Sequence, residues 1–173
     1  VLVVTTSVWG AFALPNHVGD ASPEVEAGGP TLDARAYVDV EYPREAAAIE
    51  WIDARAGQPT IVTAAPGGYD WQPDEGEGSS APASLTGVPS VLGWFHERQY
   101  RGADPYEERL ADVRAIYASD DRSKQRALLE KYGVEYVYVG PAERATYERI
   151  TVGDLSGVSV AEEFESVTIY AVG

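Results

Sequence analysis

Between Val91 and Gly102 the chain reads VLGWFHERQYRG, and Trp94, His96, Glu97, Gln99 and Arg101 there gather an indole, an imidazole, a carboxylate, an amide and a guanidinium. That set suits the binding of a polar ligand. An arginine fork pairs with carboxylate or phosphate through two N–H groups. Trp94 and Tyr100 offer flat surfaces for a sugar or a lipid headgroup, and His96, Glu97 and Gln99 can supply hydrogen bonds. No helical or strand period runs through the segment. Read as extended chain, its side chains alternate, so Glu97 and Gln99 share one face while His96, Arg98 and Tyr100 share the other. A direct His96–Glu97 dyad is then poor geometry. The same residues also suit a buried structural loop, with Arg101 tied to an acidic neighbour and the rings filling core. Residue types alone leave both readings open.

Other chemistries find little support. Without cysteine the chain can form no disulfide, thiolate nucleophile or cysteine metal site, and its two histidines, His17 and His96, cannot build a histidine-rich zinc site. The glycines of PGGYDW lack dinucleotide-loop spacing and lead into loop, no P-loop signature occurs, and no GxSxG elbow is present. Acid pairs in DPYEE, SDD and AEEFE read as solvated surface, as does DWQPDEGEG, whose acids do not follow the EF-hand pattern. No catalytic residue, metal ligand or cofactor is expected within this chain.

Charge narrows the partners. The 173 residues carry 28 Asp and Glu against 13 Lys and Arg, a formal net charge of −15. Nucleic acid is excluded as a partner, because its binding rests on cationic neutralisation of phosphates. Only Lys124 and Lys131 are lysines, against eleven arginines. High acidity with so little lysine suggests a halophilic source, where salt screens carboxylate repulsion, or else a GC-rich genome.

The elements that must position the segment alternate between strand and helix. VLVVTTSVWGAFALP, residues 1–15, is too short to span a bilayer alone, and reads as the end of a transmembrane helix or as a buried strand. Residues 16–31 form a polar linker. A helix is expected with Pro43 in its first turn, Ala48, Ile49 and Ile52 inward and Gly57 at its end, followed by a strand from Thr60 to Ala64. A flexible acidic loop occupies about 66–85. DPYEERLADVRAIYAS predicts a helix with Asp104 as N-cap, Pro105 at its first position, and Tyr106, Leu110, Val113 and Tyr117 on one face. A second helix turns Leu128, Leu129 and Tyr132 inward and ends at Gly133. VEYVYVG suits a central strand covered on both faces, a short helix starts at Pro141, and two strands close the chain. The pattern predicts an α/β fold: a layered α/β sandwich with a mixed sheet and a C-terminal β-hairpin, forming a single domain over 32–173.

Several motifs in order carry a resemblance: TLDARAYVDVEYPREAAAIEWID, LTGVPSVLGWFHERQYRG, RLADVRAIYAS, ALLEKYGVEYVYVGPAERATY and VTIYAV. Together they resemble the archaeal and bacterial YYY family of multi-pass membrane proteins, itself similar to the GT-C class of membrane glycosyltransferases. The match runs from about Thr31 to Val172. The family's Gly-Trp, His-Glu, Gln and Arg-Gly positions fall on Gly93, Trp94, His96, Glu97, Gln99, Arg101 and Gly102, with only Phe95 between the first two pairs, a shorter spacing than the family's. The resemblance implies an extracytoplasmic domain on the outer face of the cell membrane, from an archaeon, partnered by the membrane-embedded part of the same polypeptide. It further implies that the domain helps to bind a glycan or lipid-phosphate ligand and is not catalytic alone, since the GT-C carboxylate and donor site belong to the membrane part. A non-enzymatic protein-interaction domain at the cell envelope is the alternative.

Overall fold

The computed structural model describes Val38, residues 42–65, 81–93 and 95–173. The expected membrane tail or strand at 1–15, the linker at 16–31, most of the acidic loop and Trp94 lie outside these residues. Among the described residues no helix is long and apolar enough to cross a membrane. The chain divides into Val1–Pro43 and Arg44–Gly173. In the first unit, the Tyr42 amide donates to the Val38 carbonyl at 2.8 Å.

The second unit is built on a four-stranded mixed sheet, as the alternation of strand and helix patterns predicts. Its strands are β1 (Ile61–Val62), β2 (Tyr136–Val139), β3 (Val158–Glu163) and β4 (Thr168–Val172), in spatial order β1-β2-β4-β3. β1 and β2 run parallel, and β4 is antiparallel to both β2 and β3. Period-two alternation along β2 sends Val137 and Val139 into one core and Tyr138 into the other, so apolar packing covers both sheet faces. The C-terminal hairpin is present, with a bulge between Val160 and Glu162 that interrupts the register of the edge strand.

The helices are α1 (Ala46–Asp53), α2 (Ala81–Thr86), α3 (Glu97–Arg101), α4 (Ala103–Ala118), α5 (Arg122–Tyr132) and α6 (Pro141–Thr146). α1 and α2 supply Ala48, Ile52 and Ala83 to the core around Ile61, Tyr138 and Ile169. α4 and α5 supply Tyr106, Leu110, Val113, Ile116, Tyr117, Leu128 and Leu129 to the core around Val62 and Val137. α5 is capped at both ends. The Asp121 carboxylate accepts the Ser123 and Lys124 amides at 3.0 Å. Gly133 takes the left-handed conformation, φ 58°, that releases the chain towards β2.

Several boundaries differ from expectation. α2 begins at Ala81, inside the stretch read as loop, because Ala81, Pro82 and Ala83 bury their small side chains. α1 starts beyond Pro43 and ends at Asp53 with Ala54 as its C-cap, short of Gly57. α4 begins one residue before Asp104, so Asp104 lies in the first turn and makes no side-chain cap there. Its charge still favours the helix N-terminus, and Pro105 costs nothing in a turn whose N–H groups lack helical partners. β1 is shorter than Thr60–Ala64 because the Ala64 amide donates to a side chain, Glu143 Oε1, at 2.5 Å.

Polar groups stitch these layers together. The Tyr117 hydroxyl lies 2.9 Å from the Val62 carbonyl and 2.7 Å from that of Tyr138, joining α4 to both parallel strands. Gln125, fully buried, donates to the Ile116 carbonyl and to Thr151 Oγ1. Glu143, buried in the first turn of α6, also accepts the Gly140 amide at 2.8 Å, so one carboxylate closes the ends of β1 and β2. Glu45, buried just ahead of α1, accepts the Tyr138 hydroxyl at 2.8 Å.

Candidate functional site

The segment carrying Trp94, His96, Glu97, Gln99 and Arg101 follows the buried pair Val91–Leu92, which anchors it to the sheet. The Val91 amide donates to the Ile61 carbonyl at 3.1 Å, and Arg109 Nη1 of α4 donates to the Val91 carbonyl at 3.0 Å. Ser90 Oγ closes the approach on the Leu92 carbonyl. The chain then turns through Phe95 and His96, where the Arg98 and Gln99 amides donate back to their carbonyls, and enters α3.

The helix corrects the extended reading of this segment. Residues four apart share a helix face, so Glu97 pairs with Arg101 and not with the side of Gln99. Arg101 Nε lies 2.6 Å from Glu97 Oε2, an ion-pair contact without good hydrogen-bond alignment. Glu97 Oε1 accepts the Gly93 amide at 3.0 Å. A carboxylate only 13% exposed therefore holds both ends of the segment. Gly102 ends α3 at φ 91°, a conformation that residues with a Cβ rarely adopt, and lets α4 begin at once.

No residue of α3 is buried. Tyr100 is 73% exposed and Phe95 47%, so these rings do not fill core as a purely structural loop would require. Phe95 meets the buried Tyr106 ring edge-on at 5.7 Å, and the Arg98 guanidinium lies 5.8 Å from the Phe95 centroid. Arg98 Nε also approaches Glu107 at 3.9 Å. Gln99 is exposed and His96 half-buried. Trp94, expected as a stacking surface, lies outside the described residues. The structure thus brings His96, Glu97, Gln99 and Arg101 onto one short helix and its lead-in, with Phe95 and Arg98 beside them.

The arrangement suits binding more than bond-breaking. Glu97 and Arg101 neutralise each other, and the pair offers no nucleophile. Among the described residues no group of three or more His, Asp or Glu is placed to hold a metal ion. The buried hydroxyl of Tyr106 makes no hydrogen bond in the structure. Burial, then the charges of Glu107 and Glu97, raise its pKa, which keeps it neutral.

Sequence reasoning missed the buried carboxylates Glu45 and Glu143. Glu143 stands three residues after Gly140, with Pro141 between, which is the acidic half of a capping box and the signal that could have revealed it. Glu45 carries no such mark.

No family model matches the chain, and no curated protein matches it. Among solved structures, it is similar to the C-terminal globular domain of an oligosaccharyltransferase from Archaeoglobus fulgidus, at 11% identity and a TM-score of 0.48, covering 73% of this chain and 95% of that one. A likeness that loose assigns neither family nor activity.

Proposed function

We propose that this chain is an extracytoplasmic domain of a multi-pass membrane protein of the YYY type, similar to GT-C glycosyltransferases. In this reading the 94–101 segment contacts a glycan or lipid-phosphate ligand beside the membrane-embedded part of the same polypeptide, and the domain is not catalytic alone. Arg101 holds phosphate or carboxylate, Trp94 and Tyr100 stack on sugar, and His96 and Gln99 add hydrogen bonds. Glu97 positions Arg101.

One observation carries the reading: no residue of α3 is fully buried, yet its conformation is fixed by the Glu97 carboxylate, which accepts the Gly93 amide. Arg101 meets that carboxylate through Nε and stays 45% exposed in a chain of net charge −15. A preset guanidinium costs less side-chain entropy on binding than a free one. Arg101→Ala and Tyr100→Ala in the full-length protein test it through glycan transfer: the reading expects a loss of at least about tenfold, the effect of ~1.4 kcal/mol. Unchanged transfer removes both residues from the site.

The exposed rings of Phe95 and Tyr100 also favour the second reading, a non-enzymatic domain that docks an envelope protein. It expects the same substitutions to abolish partner capture and leave every glycan unchanged.

A further inference from the structure

Resting on the ligand-binding role of the 94–101 segment, we propose that its ligand is a neutral sugar, one hydroxyl of which sits between Tyr106 and Glu97. That hydroxyl accepts from the Tyr106 phenol and donates to Glu97 Oε2. Among the described residues four buried side-chain oxygens make no hydrogen bond, and two of them are the Tyr106 hydroxyl and Glu97 Oε2. Both belong to the junction of α3 and α4. Phe95, two residues ahead of Glu97, sets its ring edge-on against Tyr106 at 5.7 Å. Tyr106 lies in the first turn of α4, just past the Gly102 turn that ends α3. A buried polar atom stays costly until a partner reaches it.

The two atoms call for one kind of group. The Tyr106 phenol keeps its proton, because burial first, then the charges of Glu107 and Glu97, raise its pKa. It is a donor in need of an acceptor. Glu97 Oε2 is the converse. Arg101 Nε lies 2.6 Å from it out of hydrogen-bond alignment, and a carboxylate oxygen carries two lone pairs. The other Glu97 oxygen is taken by the Gly93 amide. A hydroxyl accepts and donates at once, so it serves both. A phosphodiester has no proton to donate to Glu97. It would also meet the charges of Glu107 and Glu97, which act on Tyr106 more strongly than those of Arg114 and Arg98. An ammonium group cannot accept from the phenol.

The Phe95 ring against Tyr106 is 47% exposed, and no residue of α3 is buried, so moving that ring leaves the core packed. Exposed side chains change rotamer within nanoseconds. A water molecule has the same donor and acceptor chemistry as a sugar hydroxyl and is the competing occupant. The two separate in a titration, because only the sugar carries a binding isotherm.

NMR of this chain with tyrosine labelled at Cζ tests the site. Methyl α-glucoside, methyl α-mannoside and methyl α-galactoside are titrated to about 100 mM, well above the millimolar Kd of a weak small ligand, with inorganic phosphate as the charged comparison. At least one glycoside is expected to move the Tyr106 signal saturably, while phosphate leaves it in place. Tyr106→Phe should weaken that glycoside about tenfold or more, read at the Gly93 amide, since a site built for a hydroxyl loses most when its partner is removed. A Tyr106 signal that follows phosphate, or a folded Tyr106→Phe chain that binds the glycoside equally well, overturns the proposal. A glycoside that shifts Tyr100 and Arg101 but not Tyr106 also overturns it, gives the pair to water, and leaves the role of the segment standing. Glycosides that shift none of these residues overturn both. The titration of the unsubstituted chain decides by itself if Tyr106→Phe fails to fold.

Discussion

Glu97 and Arg101 face each other across one turn of α3, 2.6 Å apart, and the same carboxylate accepts the Gly93 amide. One side chain thus sets the conformation of the segment, and the other is left 45% exposed at the surface.

Glu97→Gln and Arg101→Ala should therefore behave differently. Glu97→Gln removes a charged acceptor from a mostly buried amide, and should cost about 1–2 kcal/mol in urea unfolding and expose the Gly93 amide to exchange. Arg101→Ala breaks only a half-exposed pair and should stay within ~0.5 kcal/mol. Equal losses from both would contradict the division of labour.

Tyr117→Phe should destabilise the protein by about 1–2 kcal/mol, since its hydroxyl joins α4 to the Val62 and Tyr138 carbonyls inside the core. Gln125→Leu should cost about 1–3 kcal/mol, because it strands the Ile116 carbonyl and Thr151 hydroxyl without their buried donor. Urea midpoints at constant m-value report both.

Two glycines separate strain from space. Gly133→Ala meets no atom within 4 Å but must adopt φ 58°, and should cost about 1 kcal/mol. Gly140 has an ordinary φ of −109°, yet a Cβ there lies 2.7 Å from the Tyr138 ring and 2.9 Å from Glu45 Oε2. Gly140→Ala should be the worse variant, by at least ~1 kcal/mol, since the buried Tyr138 ring and Glu45 carboxylate must both shift. Thermal unfolding of the two variants side by side gives the ranking.

Stability should also fall as pH rises towards neutrality. Glu143 binds its proton more tightly folded, up to about 7, than at its ordinary value of 4.5, so its contribution is complete below 4.5 and is lost as pH rises through about 7. The shift amounts to roughly 3 kcal/mol. Glu143→Gln should flatten that part of the pH–stability curve relative to the unsubstituted protein, and an unchanged slope would refute the assignment.

Long periodic segments were the legible part of this fold. Tyr106, Leu110, Val113 and Tyr117 repeat at helical spacing and are all buried on α4, while the apolar run of β2 is covered on both faces. α3 was illegible because five polar residues carry no period; its one clue was the four-residue spacing of Glu97 and Arg101, which an extended reading places on the same face but too far apart to pair. The buried acids were hidden for another reason. In a chain with 28 acidic residues, Glu45 and Glu143 look like surface until the tertiary fold encloses them.

Alkaline carbonate extraction of native membranes, with the intact mass measured alongside, decides whether this domain belongs to a larger membrane-embedded polypeptide. The expected result is a species that stays in the membrane pellet and is several times heavier than the 18.6 kDa of this chain. A freely extracted species near that mass would contradict it, and the ridge of Tyr100 and Arg101 would then have to serve a partner met in solution.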